Sequence, residues 1–332
     1  MNGLSDHGTR RLILSSTAIL PATYRVAARR YLLSRLDRAR ARRAELLIIG
    51  HPKSGNTWLR TMLSRLYQVR HALPPNLIVK SDELARGAGA APRVLATNGY
   101  YSYEDAVGRM LGADLQESEL RRKKVVLLVR HPCDIAVSWY FQFTKRQSAA
   151  KRELINHFIP HPIDHTSISM WDFVMHSDIG LHSLIDYLNT WERNVARVEH
   201  AITIRYEELR TDPARAMRQI VDLMGESFTD DDIREAVSFG SFDNLRKLEA
   251  AGFFQRGGLS RRDLSDPETF KVRRGKIAGY RDYFSAEQLA EMEALVDTRL
   301  SPTLGYRSAA GAPGTEAPSA VIAGALPVAE SR

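Results

Sequence analysis

Cysteine is nearly absent: one residue, Cys133, in a chain of 332. A lone thiol excludes an internal disulfide and a cysteine-rich zinc site, and it gives no reason to place the chain in an oxidising compartment, so a cytoplasmic setting is expected. Long apolar runs are missing too. None approaches the roughly 18 residues that a membrane-spanning helix needs. Nor does most of the chain carry an excess of one charge sign. The net charge is +8, yet residues 1–45 hold ten Arg against three acidic residues, +7 by subtraction, which leaves the remainder almost neutral. A nucleic-acid reader would spread basic charge over a folded face; no nucleic-acid partner is expected.

The basic residues therefore define an N-terminal helical arm, residues 1–44. Residues 12–20 have the apolar character of a short signal segment, but Pro21 and the arginines beyond it replace a cleavage site of small residues. The arm reads as a basic surface helix ahead of the first strand. The alternative is an amphipathic helix on an anionic membrane, with Tyr31, Leu32, Leu33 and Leu36 on its apolar side. From Ser308 onward the chain is rich in Ala, Gly and Pro and low in charge, the composition of a disordered tail over 308–332.

Between these ends, over 45–307, short apolar runs at 46–49, 93–96, 125–129 and 201–204 alternate with helical stretches. Trp58, Leu59, Met62, Leu63, Leu66 and Tyr67 recur at helical spacing after the first run. Bounded apolar runs without polar alternation suit parallel strands covered on both sides. The expected fold is a single α/β domain of P-loop type, a central parallel sheet flanked by helices, with ligands bound at the loops that follow the strands.

The first such loop reads GHPKSGNTW, residues 50–58. Gly50, Gly55 and Thr57 match the spacing of a phosphate-binding P-loop, G-x-x-x-x-G-K-[ST]. Asn56 stands where that lysine belongs, and the loop's lysine is Lys53, three residues early. A strand, a glycine-bearing turn and a helix N-terminus together make an anion site. The third run, in 123–143, ends in Arg130 rather than in a carboxylate for Mg²⁺; Pro132 stops the strand, Asp134 starts a helix, and Ser138 lies a turn further on. An arginine there invites an anion.

These residues carry a resemblance. HPKSGNTWLR resembles the 5′-phosphosulfate loop, Y-P-K-S-G-T-T-W-L, of sulfotransferases that use 3′-phosphoadenosine 5′-phosphosulfate (PAPS). VRHPCDIAVSWYF resembles their 3′-phosphate motif R-N-P-x-D-x-x-V-S-x-Y. IRYEELRTDP (204–213) resembles their Y-E-D-[ML] segment, and VRRGKIAGYRDYFS (272–285) their R-K-G-x-x-G-D-W-K-x-x-F-T. The four occur in family order across residues 45–306.

The resemblance implies in-line, metal-independent transfer of a sulfuryl group from PAPS to an acceptor hydroxyl, releasing adenosine 3′,5′-bisphosphate (PAP). A sulfuryl group carries less charge than a phosphoryl group, so less must be neutralised, and Lys53 would stabilise the oxygen bridging to the leaving 5′-phosphate. It further implies that Ser54, Gly55, Asn56, Thr57 and Trp58 hold the 5′-phosphate side, with Trp58 near the adenine. Arg130 and Ser138 would bind the 3′-phosphate, Arg273, Arg274 and Gly275 would close over it, and Tyr206 would contact the nucleotide. Acceptors would be hydroxyl-bearing small molecules, lipids or sugars.

Departures from the pattern fall on the acceptor side. Asn98 occupies the place where many members carry a histidine that deprotonates the acceptor, and an amide cannot serve as that base. His51, beside Lys53, is one candidate base, against a packing role in the loop; Tyr100, Tyr101 and Glu104 are others. Ala278 and Tyr280 replace the usual Gly and Trp. The family's dimer motif is not intact at 281–290, so that dimer is not expected. His157, His161 and His165 are spaced like metal ligands, but Pro160 and Pro162 break a regular helix there and no metal site is expected. Residues 142–176 are expected to form a loop over the acceptor. Two other readings stay open: a P-loop small-molecule kinase, requiring ATP and Mg²⁺, and a non-catalytic nucleotide-binding, membrane-associated module.

Overall fold

The computed structural model describes residues 6–76, 83–98, 122–157, 159–254 and 275–308. The basic arm holds helices α1 (Asp6–Ser16) and α2 (Ala22–Arg43). Strand β1 (Leu46–Ile49) then leads into α3 (Asn56–Arg70) and α4 (Glu83–Gly87), followed by β2 (Val94–Thr97). Strand β3 (Lys124–Val129) runs into α5 (Pro132–Phe141), a π turn at Gln142–Arg146, and helices α6 (Ala149–Asn156), α7 (Met170–Met175) and α8 (Leu181–Val195). Strand β4 (His200–Arg205) is followed by α9 (Tyr206–Thr211), α10 (Pro213–Met224), α11 (Asp230–Phe239), α12 (Phe242–Ala250) and α13 (Ala286–Arg299).

The four strands form one parallel sheet in the order β2-β1-β3-β4. All four residues of β1 are buried, as befits a strand covered on both faces. Alternate residues divide between two cores. Leu47, Ile49, Val125 and Leu127 pack with Leu184, Leu188 and Trp191 of α8 and with Met292 and Val296 of α13. Leu46, Ile48, Val126 and Leu128 pack with Leu59, Met62, Leu63 and Leu66 of α3 and with Met217 and Ile220 of α10. Burying each such leucine contributes about 1.5–3 kcal/mol. The chain leaves β1 for one side to make β2 and returns to the other side to make β3. That reversal opens a crevice beyond the C-terminal ends of β1 and β3, the place where such sheets bind ligands.

The arm lies on this domain. Val26, Arg29, Leu33, Asp37 and Ala41 form the inward stripe of α2. Val26 and Leu33 pack with Leu154 of α6, while Glu153 of α6 pairs with both Arg25 and Arg29. Arg29 also donates to the Thr17 hydroxyl at 3.0 Å, tying α1 to α2. The apolar side expected from Tyr31, Leu32, Leu33 and Leu36 is not one surface. Leu33 is 1% exposed and Tyr31 61%, because residues two positions apart on a helix point about 200° apart.

The tail from 309 onward lies outside the described residues. Residues 142–176, expected as a loop, hold the π turn and two helices, because Phe143, Ile155, Ile159, Ile163 and Phe173 bury a small core of their own with Trp139. The stretch bearing Pro160 and Pro162 is irregular, as proline's missing N–H requires.

Candidate active site

Loop 50–55 joins β1 to α3 at the crevice. The Gly50 carbonyl accepts from the Asn56 side-chain amide at 2.9 Å, and the His51 carbonyl accepts from the same group at 3.4 Å. Asn56 thus braces the loop from the position where a P-loop carries its lysine. A Cβ on Gly50 would stand 2.7 Å from Asn56 Oδ1 and 2.8 Å from the Leu128 carbonyl oxygen. Gly55 has φ +104°, and a Cβ there would meet the Tyr206 ring at 2.8 Å. Lys53 itself is left-handed at φ 83°, a conformation that costs a side-chain-bearing residue energy. The turn is tight enough that the first turn of α3 faces the crevice with its unpaired N–H groups and positive dipole end.

Arg130, directly after β3, ties the motifs together. Its Nη1 donates to the Lys53 carbonyl and its Nη2 to the Lys276 carbonyl, both at 3.3 Å. The guanidinium lies 4.2 Å over the Tyr206 ring and 3.5 Å from the Asp134 carboxylate. Tyr206, the first residue of α9, is buried, and burial pushes its phenol pKa up, so it stays protonated. Its ring meets that of Trp58 edge-on at 5.7 Å, and the Trp58 indole N–H donates to the Gly240 carbonyl at 2.7 Å. Four segments distant in sequence thus converge on one crevice.

Asp134, which opens α5 and stands at the aspartate of the 3′-phosphate motif, does more. It is 3% exposed, and its two oxygens accept the backbone N–H groups of Ala278 and Tyr280, each at 3.0 Å. It thereby fastens the C-terminal segment beside Arg130. The motif singles out the residue but not its partners, which are main-chain groups 144 and 146 residues away. Gly275 opens that segment at φ 60°, its carbonyl accepting from Arg210 Nε at 3.1 Å. Arg273 and Arg274 lie outside the described residues, as do Tyr100, Tyr101 and Glu104. Ser138 is half-buried on α5. Asn98 directly follows β2, whose Thr97 carbonyl accepts from Gly50 N–H at 3.2 Å, so the residue adjoins the loop.

His51 is fully buried, with its ring edge-on to Tyr187 at 5.2 Å and to Trp139 at 5.9 Å. Its Nδ1 lies 2.8 Å from the Pro52 carbonyl, which makes that nitrogen the protonated one. Burial lowers its pKa to about 3. The ring is closed to a hydroxyl arriving from solvent and is a poor base near neutrality. The geometry supports packing and not proton abstraction.

The donor set fits a phosphorylated nucleotide. Ser54 Oγ and Arg130 Nε are buried and have no hydrogen-bond partner among the described residues, whereas buried polar groups are normally satisfied. Phosphate oxygens at the crevice would supply acceptors beside Lys53, Arg130 and the N-terminus of α3. The nearby carboxylate, Asp134, is engaged with Arg130 and two main-chain amides, which leaves it ill suited to hold Mg²⁺ for a kinase. Among the described residues, no group of three or more His, Cys, Asp or Glu is arranged to hold a metal.

Comparison with known proteins gives the family. Residues 43–303 match the family model of the sulfotransferase domain. Cytosolic sulfotransferase 15 of Arabidopsis thaliana is 23% identical over 75% of this chain and 70% of its own. Flavonol 4′-sulfotransferase of Flaveria chlorifolia is 22% identical over 80% of this chain and 81% of its own. Among solved structures, a mouse sulfotransferase complexed with PAP superposes with a TM-score of 0.51 at 17% identity, covering 77% of this chain and 84% of that one.

Proposed function

This chain belongs to the sulfotransferase domain family, and from that premise we propose which of its residues carry out PAPS-dependent sulfuryl transfer. PAPS supplies an activated sulfuryl group; the acceptor hydroxyl oxygen attacks sulfur and its proton passes to solvent water, the bond to the 5′-phosphate oxygen breaks, and PAP leaves. Lys53 neutralises charge growing on that phosphate oxygen. Ser54, Gly55, Asn56, Thr57 and Trp58 hold the 5′-phosphate side: Ser54 by its hydroxyl, Thr57 at the positive end of α3, Asn56 by fixing the loop. Arg130 and Ser138 take the 3′-phosphate, with Arg273, Arg274 and Gly275 covering it and Tyr206 against the nucleotide. His51 packs beneath the loop and takes no part in proton transfer.

The observation that carries this reading is the position of Arg130. It joins Lys53, Tyr206 and Lys276 while its Nε and the Ser54 hydroxyl have no acceptor among the described residues. The acceptor is a small molecule with a hydroxyl group; the name of the flavonol 4′-sulfotransferase among the relatives favours phenols. The relatives' cytosolic names support a cytoplasmic setting. No helix among the described residues is long and apolar enough to cross a membrane.

Thermal stability with PAP in EDTA tests the donor site, since a ligand that binds only the native state raises the midpoint with concentration. PAP stabilises the wild type without metal and fails to stabilise Arg130→Ala. Stabilisation by ATP only with Mg²⁺, and none by PAP, would return the chain to the kinase reading. Lys53→Met keeps the PAP response and loses at least about 100-fold in transfer rate, the scale of removing a positioned electrostatic stabiliser.

A further inference from the structure

We infer that the outward face of the α1–α2 arm is a docking surface for an anionic phospholipid membrane, using Ile19, Tyr24 and Tyr31 as interfacial anchors and Arg35 and Arg38 as lipid-phosphate contacts. This inference is independent of the roles proposed for the active-site residues.

Four of the six exposed large hydrophobic residues among those described belong to the arm: Leu12 at 57%, Ile19 at 87%, Tyr24 at 70% and Tyr31 at 61% exposure. Single exposed apolar side chains are ordinary; a concentration of them on one short segment marks an interaction surface. Their placement is ordered. On α2 the inward stripe is Val26, Arg29, Leu33, Asp37 and Ala41. Tyr24, Tyr31, Arg35, Arg38 and Arg42 fall on the opposite side at helical spacing. Ile19 sits on the turn between the two helices.

Charge selects the partner. The α2 carboxylate, Asp37, is buried and paired with Arg40 at 2.6 Å. Helix α2 has no other acidic residue, so its outward face is aromatic and cationic with nothing to repel phosphate. Tyrosine buries an apolar ring while its hydroxyl stays in water, which suits the headgroup level of a bilayer. Arg35 lies 5.7 Å from the Tyr31 ring centroid, so ring and cation present themselves together. An acidic protein groove would ask for the charge but not for an isoleucine 87% exposed at the tip.

The surface is mechanically joined to the domain. Glu153 of α6 holds Arg25 and Arg29, and Leu154 packs against Val26 and Leu33. Docking would therefore orient the whole domain on the membrane and not tether it through a loose segment.

Sedimentation of the full chain with vesicles of phosphatidylcholine, with and without phosphatidylglycerol, tests this. The wild type binds the anionic vesicles, binds neutral ones far less, and is released by salt. The triple variant Ile19→Ser, Tyr24→Ser, Tyr31→Ser and the double variant Arg35→Glu, Arg38→Glu each lose at least about tenfold in partitioning. Both keep the wild-type thermal midpoint and PAP response, which shows that domain and donor site are intact. Absence of wild-type binding to anionic vesicles, or wild-type-level binding by either variant, overturns the inference. Binding to heparin or duplex DNA that is lost in the arginine variant alone, with the triple variant still sedimenting normally, would identify a general polyanion surface and likewise overturn it.

Discussion

The guanidinium of Arg130 lies 4.2 Å over the ring of Tyr206. One residue directly follows β3 and the other opens the helix after β4, so this contact holds the loops after β3 and β4 together at the crevice. The ring also fixes Gly55: no Cβ fits between the loop and Tyr206. Gly55→Ala is accordingly expected to destabilise the fold by about 1–3 kcal/mol, from positive φ and the close approach together. It should also weaken PAP binding. Denaturant unfolding with and without PAP separates the two effects.

Asp134 accepts two main-chain N–H groups from the C-terminal segment and faces Arg130. Asp134→Ala leaves the buried Tyr280 N–H unsatisfied, at about 1–3 kcal/mol, and strands the half-buried Ala278 N–H at a smaller cost. The expected outcome is a lower thermal midpoint and a weaker PAP response. Asp134→Asn keeps one acceptor oxygen and should fall between the two. Equal PAP affinity in all three proteins would show that the segment is not held through this carboxylate.

Ala278 is left-handed at φ 55°. Replacement by glycine removes a steric cost of about 1–2 kcal/mol and adds unfolded-chain entropy that offsets part of it. Ala278→Gly should therefore be neutral to stabilising, by up to about 1 kcal/mol in denaturant unfolding. This is the reverse of the usual effect of a glycine.

His51 is buried with its pKa lowered to about 3 from an ordinary 6.5. Between these values the unfolded chain binds the proton and the folded chain does not. The contribution is therefore complete above pH 6.5 and is lost as pH falls toward 3, at about 1.4 kcal/mol per unit at most. The stability of His51→Phe should fall less steeply than that of the wild type over this window, followed by thermal midpoints at several pH values. At neutral pH the variant should retain transfer activity.

Leu33 is 1% exposed between the arm and α6. If the arm folds as part of the domain, Leu33→Ala lowers global stability by about 2–4 kcal/mol. A change confined to local proteolysis of the arm, with unfolding of the domain unaltered, would show instead that the arm is a separate unit.

The sequence by itself determined the strands, their parallel layering and the order of the site motifs. Those features are local: bounded apolar runs must be covered on both faces, and glycines at positions 50 and 55 permit a turn other residues resist. It also marked Lys53 and Arg130 through their residue types at two strand ends. Only the tertiary structure decided which face of the arm points outward, that His51 is sealed in, that Asn56 braces the loop, and that Asp134 anchors the C-terminal segment. Each of these depends on what a side chain meets from a distant part of the chain, as Asp134 meets main-chain groups that any residue could have offered. Helical spacing alone could not assign the faces of α2, because Leu33 and Tyr31 are both apolar in composition and only packing against Leu154 separates them.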